Sequence, residues 1–401
     1  RPIADRCGLV GEVAVIDLDA ALGRGTNERV IRERLARAPC RVGGGIRDVR
    51  AARRWLDAGA RRVILGTAAR EEVLRELPRE RVIVALDARD GEVVTEGWTR
   101  RTGATVETRI DELKDLAGGF LVTFVEREGR LGGLPRERVE RLAALASPAQ
   151  LTVAGGVRTA EDVAVADRHG ADAQVGMALY TGSFDLADGF ASPMKSDRTD
   201  GLWPTVVTDP SGRALGLVYS SADSLRASIE ERRGVYYSRS RDALWRKGES
   251  SGDVPELLRV AADCDRDALR FTVRQHGRGF CHLGTETCFG ASAAAGGVSA
   301  LDRTLASRLE DPPEGSYTAR LVREPGLVRS KLLEEARELD DASSREHAAH
   351  EAADLVYFAL VAARARGASL EDVERELDRR AMRVTRRPGD AKPEPDTGSD
   401  A

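Results

Sequence analysis

Seven apolar runs of strand length recur in the first 190 residues: VAVIDLDA, PCRVGGG, RRVILGT, RVIVALDA, GFLVTFV, QLTVAGG and DAQVGMAL. Stretches of helical character, such as DVRAARRWLDAGA and TAEDVAVADRHGA, follow several of them. Strands joined through helices lie parallel, and so many β/α units in series favour a (β/α)8-type barrel over residues 1–190.

The pattern changes twice further on. GSFDLADGFASPMKSDRTDG (182–201) has turn-forming composition and reads as a linker. Residues 201–290 carry strand-like runs and Gly turns, the signature of a small α+β domain, here with a cluster of Asp and Cys. ASAAAGGVSA (291–300) reads as a second linker. Residues 301–390 are helical: GLVRSKLLEEARELDDA and REHAAHEAADLVYFALVAARARG have apolar residues at helical spacing, and Ser369 followed by Asp372 caps a last helix. The tail, 391–401, has the composition of a disordered segment.

The 401 residues suit two or three domains, and 41% hydrophobic content is enough for ordinary cores. Charged residues make up 32%, yet the net charge is only −4, which speaks against a nucleic-acid or membrane-surface protein. No apolar run reaches the ~18–20 residues of a bilayer span, and no signal peptide is visible, so the expected location is the cytoplasm. The five cysteines are odd in number, which in a reducing compartment argues against a disulfide framework. Cys7 and Cys40 stand alone and read as thiols without a role. Cys264, Cys281 and Cys288 cluster.

In a strand, Asp263, Asp265 and Asp267 would share one face and Cys264 the other. Three such carboxylates repel unless a hard cation such as Mg2+ sits among them. Cys264, Cys281 and Cys288 suit Zn2+ with a fourth position left open for water. The alternatives are a solvated acidic turn for the aspartates and, for the cysteines, a closed structural zinc site with His282 as fourth ligand.

The surrounding motifs, DGLWPTVVTD, LGLVYSS, GVYYSRSRDALWRKGESSG, DCDRDALRFTV and GFCHLGTETCFG, occur in this order over nearly all of 201–290. Together they resemble phosphoribosyl-AMP cyclohydrolase of histidine biosynthesis, in the form found in fungal multifunctional histidine proteins. That resemblance implies a homodimer whose zinc site draws on both subunits. It puts Zn2+ at Cys264, Cys281 and Cys288, and Mg2+ at Asp263, Asp265 and Asp267. It further implies opening of an N1-substituted adenine ring at C6. His282 would be the proton shuttle, since imidazole titrates in the working range. Arg239, Arg241 and Lys247 would hold phosphates.

In the helical segment, Glu335 and Glu338 share a helix face, and Glu351 and Asp354 repeat the spacing on the next helix. Two antiparallel helices can converge all four, at a cost that a cation offsets. The segment, with VTRRPGDAKP after its last helix, resembles phosphoribosyl-ATP pyrophosphohydrolase, an all-α enzyme of the same pathway. The resemblance implies Mg2+ at Glu335, Glu338, Glu351 and Asp354, with catalysis by Glu335 and Glu338. Lys331 and Glu334 are nearby candidates for phosphate and metal contacts.

The first segment resembles the barrel isomerase of the same pathway in VIDLDAALGRGTN, RVGGGIRD, LDARDGEVVTEGW and TVAGGVRTAEDV. Backbone N–H groups at Gly-rich strand ends bind phosphates, here Gly44, Gly45, Gly66, Thr67, Gly155, Gly156 and Gly176. The resemblance places one catalytic Asp on a strand ahead of Arg1, leaving the barrel incomplete at its N-terminus. The other falls where Glu128 stands. The expectation is a bifunctional hydrolase acting on small phosphoribosyl nucleotides. The alternatives are a trifunctional enzyme with an active aldose–ketose isomerase barrel, and a zinc-stabilised, non-catalytic phosphoribosyl-binding scaffold.

Overall fold

The seven apolar runs become seven parallel strands of ordinary strand length, the inner ones buried on both faces and the two outermost only partly covered. In the computed structural model, which describes residues 3–95, 97–128, 132–290 and 296–385, they are β1 (Val13–Ile16), β2 (Cys40–Gly43), β3 (Arg62–Leu65), β4 (Val82–Arg89), β7 (Gly119–Phe124), β8 (Gln150–Ala154) and β9 (Ala171–Ala173). They pair in the order β1-β2-β3-β4-β7-β8-β9, and an antiparallel hairpin, β5 (Glu92–Thr95) and β6 (Arg100–Thr105), extends from β4. Among the described residues β1 and β9 each have a neighbour on one side only, so the sheet is an open, incomplete (β/α)8 barrel. Ile64, Ile83, Leu121 and Ala154 from successive strands form a buried cluster. Intervening helices cover the sheet through residues such as Ala52, Trp55 and Leu56, on a helix opened by the Asp48 carboxylate accepting from the Ala51 N–H.

The Gly-rich strand ends have a steric cause. Gly44 and Gly155 both have positive φ, and a Cβ there would lie 2.3 Å from the Asp17 carbonyl oxygen and 2.5 Å from that of Phe124. Only glycine lets the chain pass the preceding strand so closely. Gly66 and Gly176 meet nothing within 4 Å of a built Cβ, and they are exposed, as is Thr67.

Residues 12–183, with the described residues from Arg380 onward, form this unit; the other comprises the chain up to Gly11 and Phe184–Arg379. The sequence assigns the first residues to the barrel, and here the structure differs. After a short helix, Ile3–Cys7, Leu9 is 2% exposed and joins the core of the small α+β domain with Trp203, Leu257 and Val260. Its carbonyl accepts from the Val260 N–H at 2.7 Å. The linker expected over 182–201 is also corrected. Leu186–Ala191 is a helix, and Leu186, Phe190, Ala191 and Met194 pack on the same core.

That domain holds a four-stranded sheet of β10 (Trp203–Thr208), β11 (Ala214–Ser220), β14 (Pro255–Ala262) and β15 (Leu269–Gln275), ordered β11-β10-β15-β14. Only β10 and β15 are parallel. A hairpin, β12 (Val235–Ser238) and β13 (Ala243–Arg246), and a helix, Ala222–Glu231, capped by reciprocal Ser221 and Ser224 bonds, complete it. Five helices follow: Gly297–Glu310, Tyr317–Arg323, Pro325–Asp340, Arg345–Arg364 and Leu370–Ala381. They close over Leu305, Leu321, Val328, Phe358, Leu360 and Val361. The first begins inside the stretch read as the second linker. The last has the expected Ser369–Asp372 cap, with the Ser369 N–H donating to the Asp372 carboxylate at 2.9 Å. The tail expected to be disordered, 391–401, lies outside the described residues.

Gly155→Ala is expected to lower stability by about 1–3 kcal/mol, the range for strained backbone, and exposed Gly66→Ala by less than ~0.5 kcal/mol. The urea midpoint of the barrel's unfolding transition measures both, and equal losses would contradict the close-approach account.

Candidate active sites

In the α+β domain the acidic cluster forms, but not by strand alternation. β14 ends at Ala262, and residues 263–268 are a turn into β15. The Asp263 carboxylate accepts from the N–H groups of Asp267 and Ala268 at 3.0 and 3.1 Å, and Arg266 takes a positive φ of 68°. This curl brings ligand oxygens of Asp263, Asp265 and Asp267 within 4.8 Å of one another. Burial opposes ionisation of Asp263, but the backbone donors outweigh it and its pKa is lowered. Asp267 moves up, chiefly through its contact with Asp263 and then through the Asp265 charge.

The loop after β15 folds back on itself: Phe280 and Cys281 N–H groups donate to the carbonyls of Glu286 and Thr285, and the Cys288 N–H donates to Leu215 on β11. Cys281 and Cys288 are thereby made neighbours. The Leu283 N–H and the Thr285 side chain lower the Cys281 pKa, whereas burial and then the Cys281 charge raise that of Cys288. Cys264, exposed on the Asp turn, does not join them: among the described residues no cysteine belongs to a group of three metal-type ligands. Two soft donors, Cys281 and Cys288, are side by side, and Cys264 lies apart from them on the Asp turn. The His282 ring is exposed, with Nδ1 3.9 Å from the Cys281 sulfur.

Lys247 is 3% exposed, with its ammonium 5.3 Å from the Phe280 ring centroid and 5.8 Å from that of Trp245. Burial lowers its pKa, against the charges of Asp253, Cys288 and Cys281. It therefore faces the cysteines from inside the domain. Arg239 and Arg241 are exposed on the β12–β13 turn, where Arg239 stacks 3.9 Å over Tyr219.

The helical domain gathers two groups of charged side chains on facing helices. Glu335 is 4% exposed and Glu351 8%. Lys331 Nζ lies 2.8 Å from both Glu334 and Glu335. The ligand atoms of Glu334, Glu335 and Glu338 fall within 4.8 Å of one another, as do those of His350, Glu351 and Asp354 on the facing helix. Desolvation and then the charges of Glu351, Glu335 and Glu334 raise the Glu338 pKa, and its carboxyl reaches Glu351, joining the two groups. Oxygen donors from two helices fit a hard divalent cation. A groove lined by Ser330, Leu333, Glu334, Arg337 and Glu338 runs beside them. His347 and His350 escaped the sequence reading, although their spacing of four from Glu351 and Asp354 was legible.

In the barrel, Glu128 follows β7, and its pKa is raised by burial and then by Asp87 at the end of β4. Asp87 accepts from Trp98 Nε1 at 3.0 Å. The LDARDG motif carried Asp87, but only the fold shows that it faces Glu128.

Three family models match the chain: "Histidine biosynthesis protein" over residues 9–185, "Phosphoribosyl-AMP cyclohydrolase" over 216–290, and "Phosphoribosyl-ATP pyrophosphohydrolase" over 298–381. A histidine biosynthesis trifunctional protein of Kluyveromyces lactis is 51% identical over 203 residues, 50% of this chain and 25% of that protein. One from Neurospora crassa is 40% identical over 348 residues, 84% of this chain and 36% of that protein, a match too long to exclude the barrel. A histidine biosynthesis bifunctional protein of Thermus thermophilus is 39% identical over 189 residues, 44% of this chain and 87% of that protein. The chain thus spans only a quarter to about a third of the two trifunctional relatives. It belongs to the histidine-biosynthesis family in which phosphoribosyl-AMP cyclohydrolase and phosphoribosyl-ATP pyrophosphohydrolase domains are fused, and it carries a histidine-biosynthesis barrel domain ahead of them.

Proposed function

We propose that the chain is a cytoplasmic, homodimeric hydrolase that converts phosphoribosyl-ATP to phosphoribosyl-AMP and pyrophosphate, then opens the adenine ring of phosphoribosyl-AMP. The observation that supports this most strongly is the burial of Glu335 and Glu351 on facing helices in the matched pyrophosphohydrolase domain. Buried like charges are retained where a cation or substrate needs them.

In the helical domain, Glu335, Glu338, Glu351 and Asp354 would hold Mg2+, which supplies charge neutralisation for the polyphosphate. Lys331 counters the negative charge and is placed to contact phosphate. Water attacks phosphorus, the α–β phosphoanhydride breaks, and pyrophosphate leaves. Glu338 takes the proton from the water.

In the α+β domain, Cys281 and Cys288 would hold Zn2+ together with Cys264 from a second copy, and Asp263, Asp265 and Asp267 would hold Mg2+. Zn2+ there supplies Lewis acidity that makes water nucleophilic near neutral pH. Water adds at C6, the N1–C6 bond breaks, and His282 carries the proton to N1. Arg239 and Arg241, on their exposed turn, would hold the phosphate, while Lys247 fits better as a positive charge beside the thiolates. The Asp87–Glu128 pair, at the strand ends where barrel enzymes carry their chemistry, supports a second reading in which the barrel is an aldose–ketose isomerase. Gly44, Gly45, Gly155 and Gly156 would then lie near the substrate phosphates, with Gly66, Thr67 and Gly176 the sterically open positions.

Two substitutions separate the hydrolytic steps. Cys281→Ser is expected to abolish ring opening, followed by ultraviolet absorbance, while pyrophosphate release continues. Glu338→Gln is expected to slow pyrophosphate release by about 100-fold or more and leave ring opening of supplied phosphoribosyl-AMP intact. Loss of both activities in either variant, with the fold retained, would contradict separate sites.

A further inference from the structure

We propose that His350 is itself a ligand of the divalent cation in the helical domain, making this a mixed nitrogen–oxygen site that favours first-row transition ions over Mg2+. The inference rests on the cation-site reading of Glu335 and Glu351 above. His350 Nδ1 lies 3.2 Å from Asp354 Oδ2 and 3.9 Å from Glu351 Oε1. An octahedral ion with bonds of ~2.1 Å spaces adjacent ligand atoms by about 3 Å, so His350 and Asp354 stand near the separation one ion would impose, with the Glu351 oxygen somewhat farther off. His350 sits four residues before Asp354 on the continuous helix Arg345–Arg364, so the two side chains share a face. Its side chain is 70% exposed, leaving the ring free to turn its lone pair toward an ion.

Two further contacts aim the set. His347 Nε2 lies 3.2 Å from Glu351 Oε1, holding that carboxylate from the preceding turn. Glu338 reaches Glu351 from the facing helix. The cluster therefore has an imidazole face on Arg345–Arg364 and an all-carboxylate face, Glu334, Glu335 and Glu338, on Pro325–Asp340. Mg2+ gains little from an imidazole, whereas first-row transition ions bind imidazole nitrogen well. His347 is a positioning residue for Glu351; His350 is the ligand.

The test uses the whole chain and Mn2+ as probe, an ion with little affinity for thiolates. Pulsed electron paramagnetic resonance of bound Mn2+ is expected to show imidazole nitrogen coupling that disappears in His350→Ala. Calorimetry is expected to show Mn2+ affinity at this site falling at least about tenfold in that variant, with Mg2+ affinity changing less than about threefold. Comparing the wild type with His350→Ala isolates this site from the Asp263–Asp267 cluster. Glu351→Gln separates the two ways of failing. If Glu351→Gln weakens Mn2+ binding but His350→Ala changes neither the coupling nor the Mn2+-to-Mg2+ ratio, the imidazole is only an ion-pair partner and this inference is overturned. If Glu351→Gln leaves Mn2+ and Mg2+ binding untouched, the cation-site reading beneath it falls as well.

Discussion

Glu335 and Glu351, almost sealed between two helices, set the terms for the helical domain. Burying carboxylates is costly, and burying two near a third is costlier still. Lys331 offsets the charge of Glu335, the His347 ring sits 3.2 Å from the Glu351 carboxylate, and Glu338 responds by binding its proton more tightly. The apolar side of the same helices, through Val328, Phe358, Leu360 and Val361, packs the bundle that keeps the carboxylates together. Hydrophobic burial thus holds in place a charge arrangement that would otherwise spread apart.

The α+β domain meets the same difficulty with backbone. The Asp turn and the Cys loop each lie beyond the end of a strand, where the chain is free to curl and point N–H groups inward. Two N–H groups serve Asp263, and one serves the Cys281 sulfur. Lys247, held between aromatic rings, adds a fixed positive charge beside the thiols. The Asp turn joins β14 to β15, and the Cys loop leaves β15 and is tied to β11 through the Cys288 N–H, with Phe271 and Phe280 in the core beneath. In both domains, groups that repel are gathered by parts of the fold that have no chemical role.

Much of this was legible in residue order. Seven apolar runs became seven parallel strands, and i, i+3 carboxylates converged because an α-helix leaves them no other face. The misreadings came where local pattern and tertiary context part. Asp263, Asp265 and Asp267 fit strand alternation, yet the positive φ of Arg266 and the N–H bonds to Asp263 end the strand at Ala262. Leu186, Phe190 and Met194 were hidden in a turn-rich stretch, and Leu9 could not announce that its core belonged to a domain about 200 residues away. At the Gly-rich strand ends, the close approach of the backbone at Gly44 and Gly155 is a steric need that residue order alone did not reveal.

One chain with two successive hydrolytic sites should carry phosphoribosyl-ATP through both steps. Supplying the protein with phosphoribosyl-ATP, Mg2+ and Zn2+, and resolving products by chromatography and mass, tests it most directly. Stoichiometric pyrophosphate and the ring-opened product are expected, with phosphoribosyl-AMP passing only transiently. Chromatography of the equal-mass isomers shows whether a ketose follows and the barrel contributes. Unconsumed phosphoribosyl-ATP, or phosphoribosyl-AMP accumulating as the end product with both metals present, would contradict it.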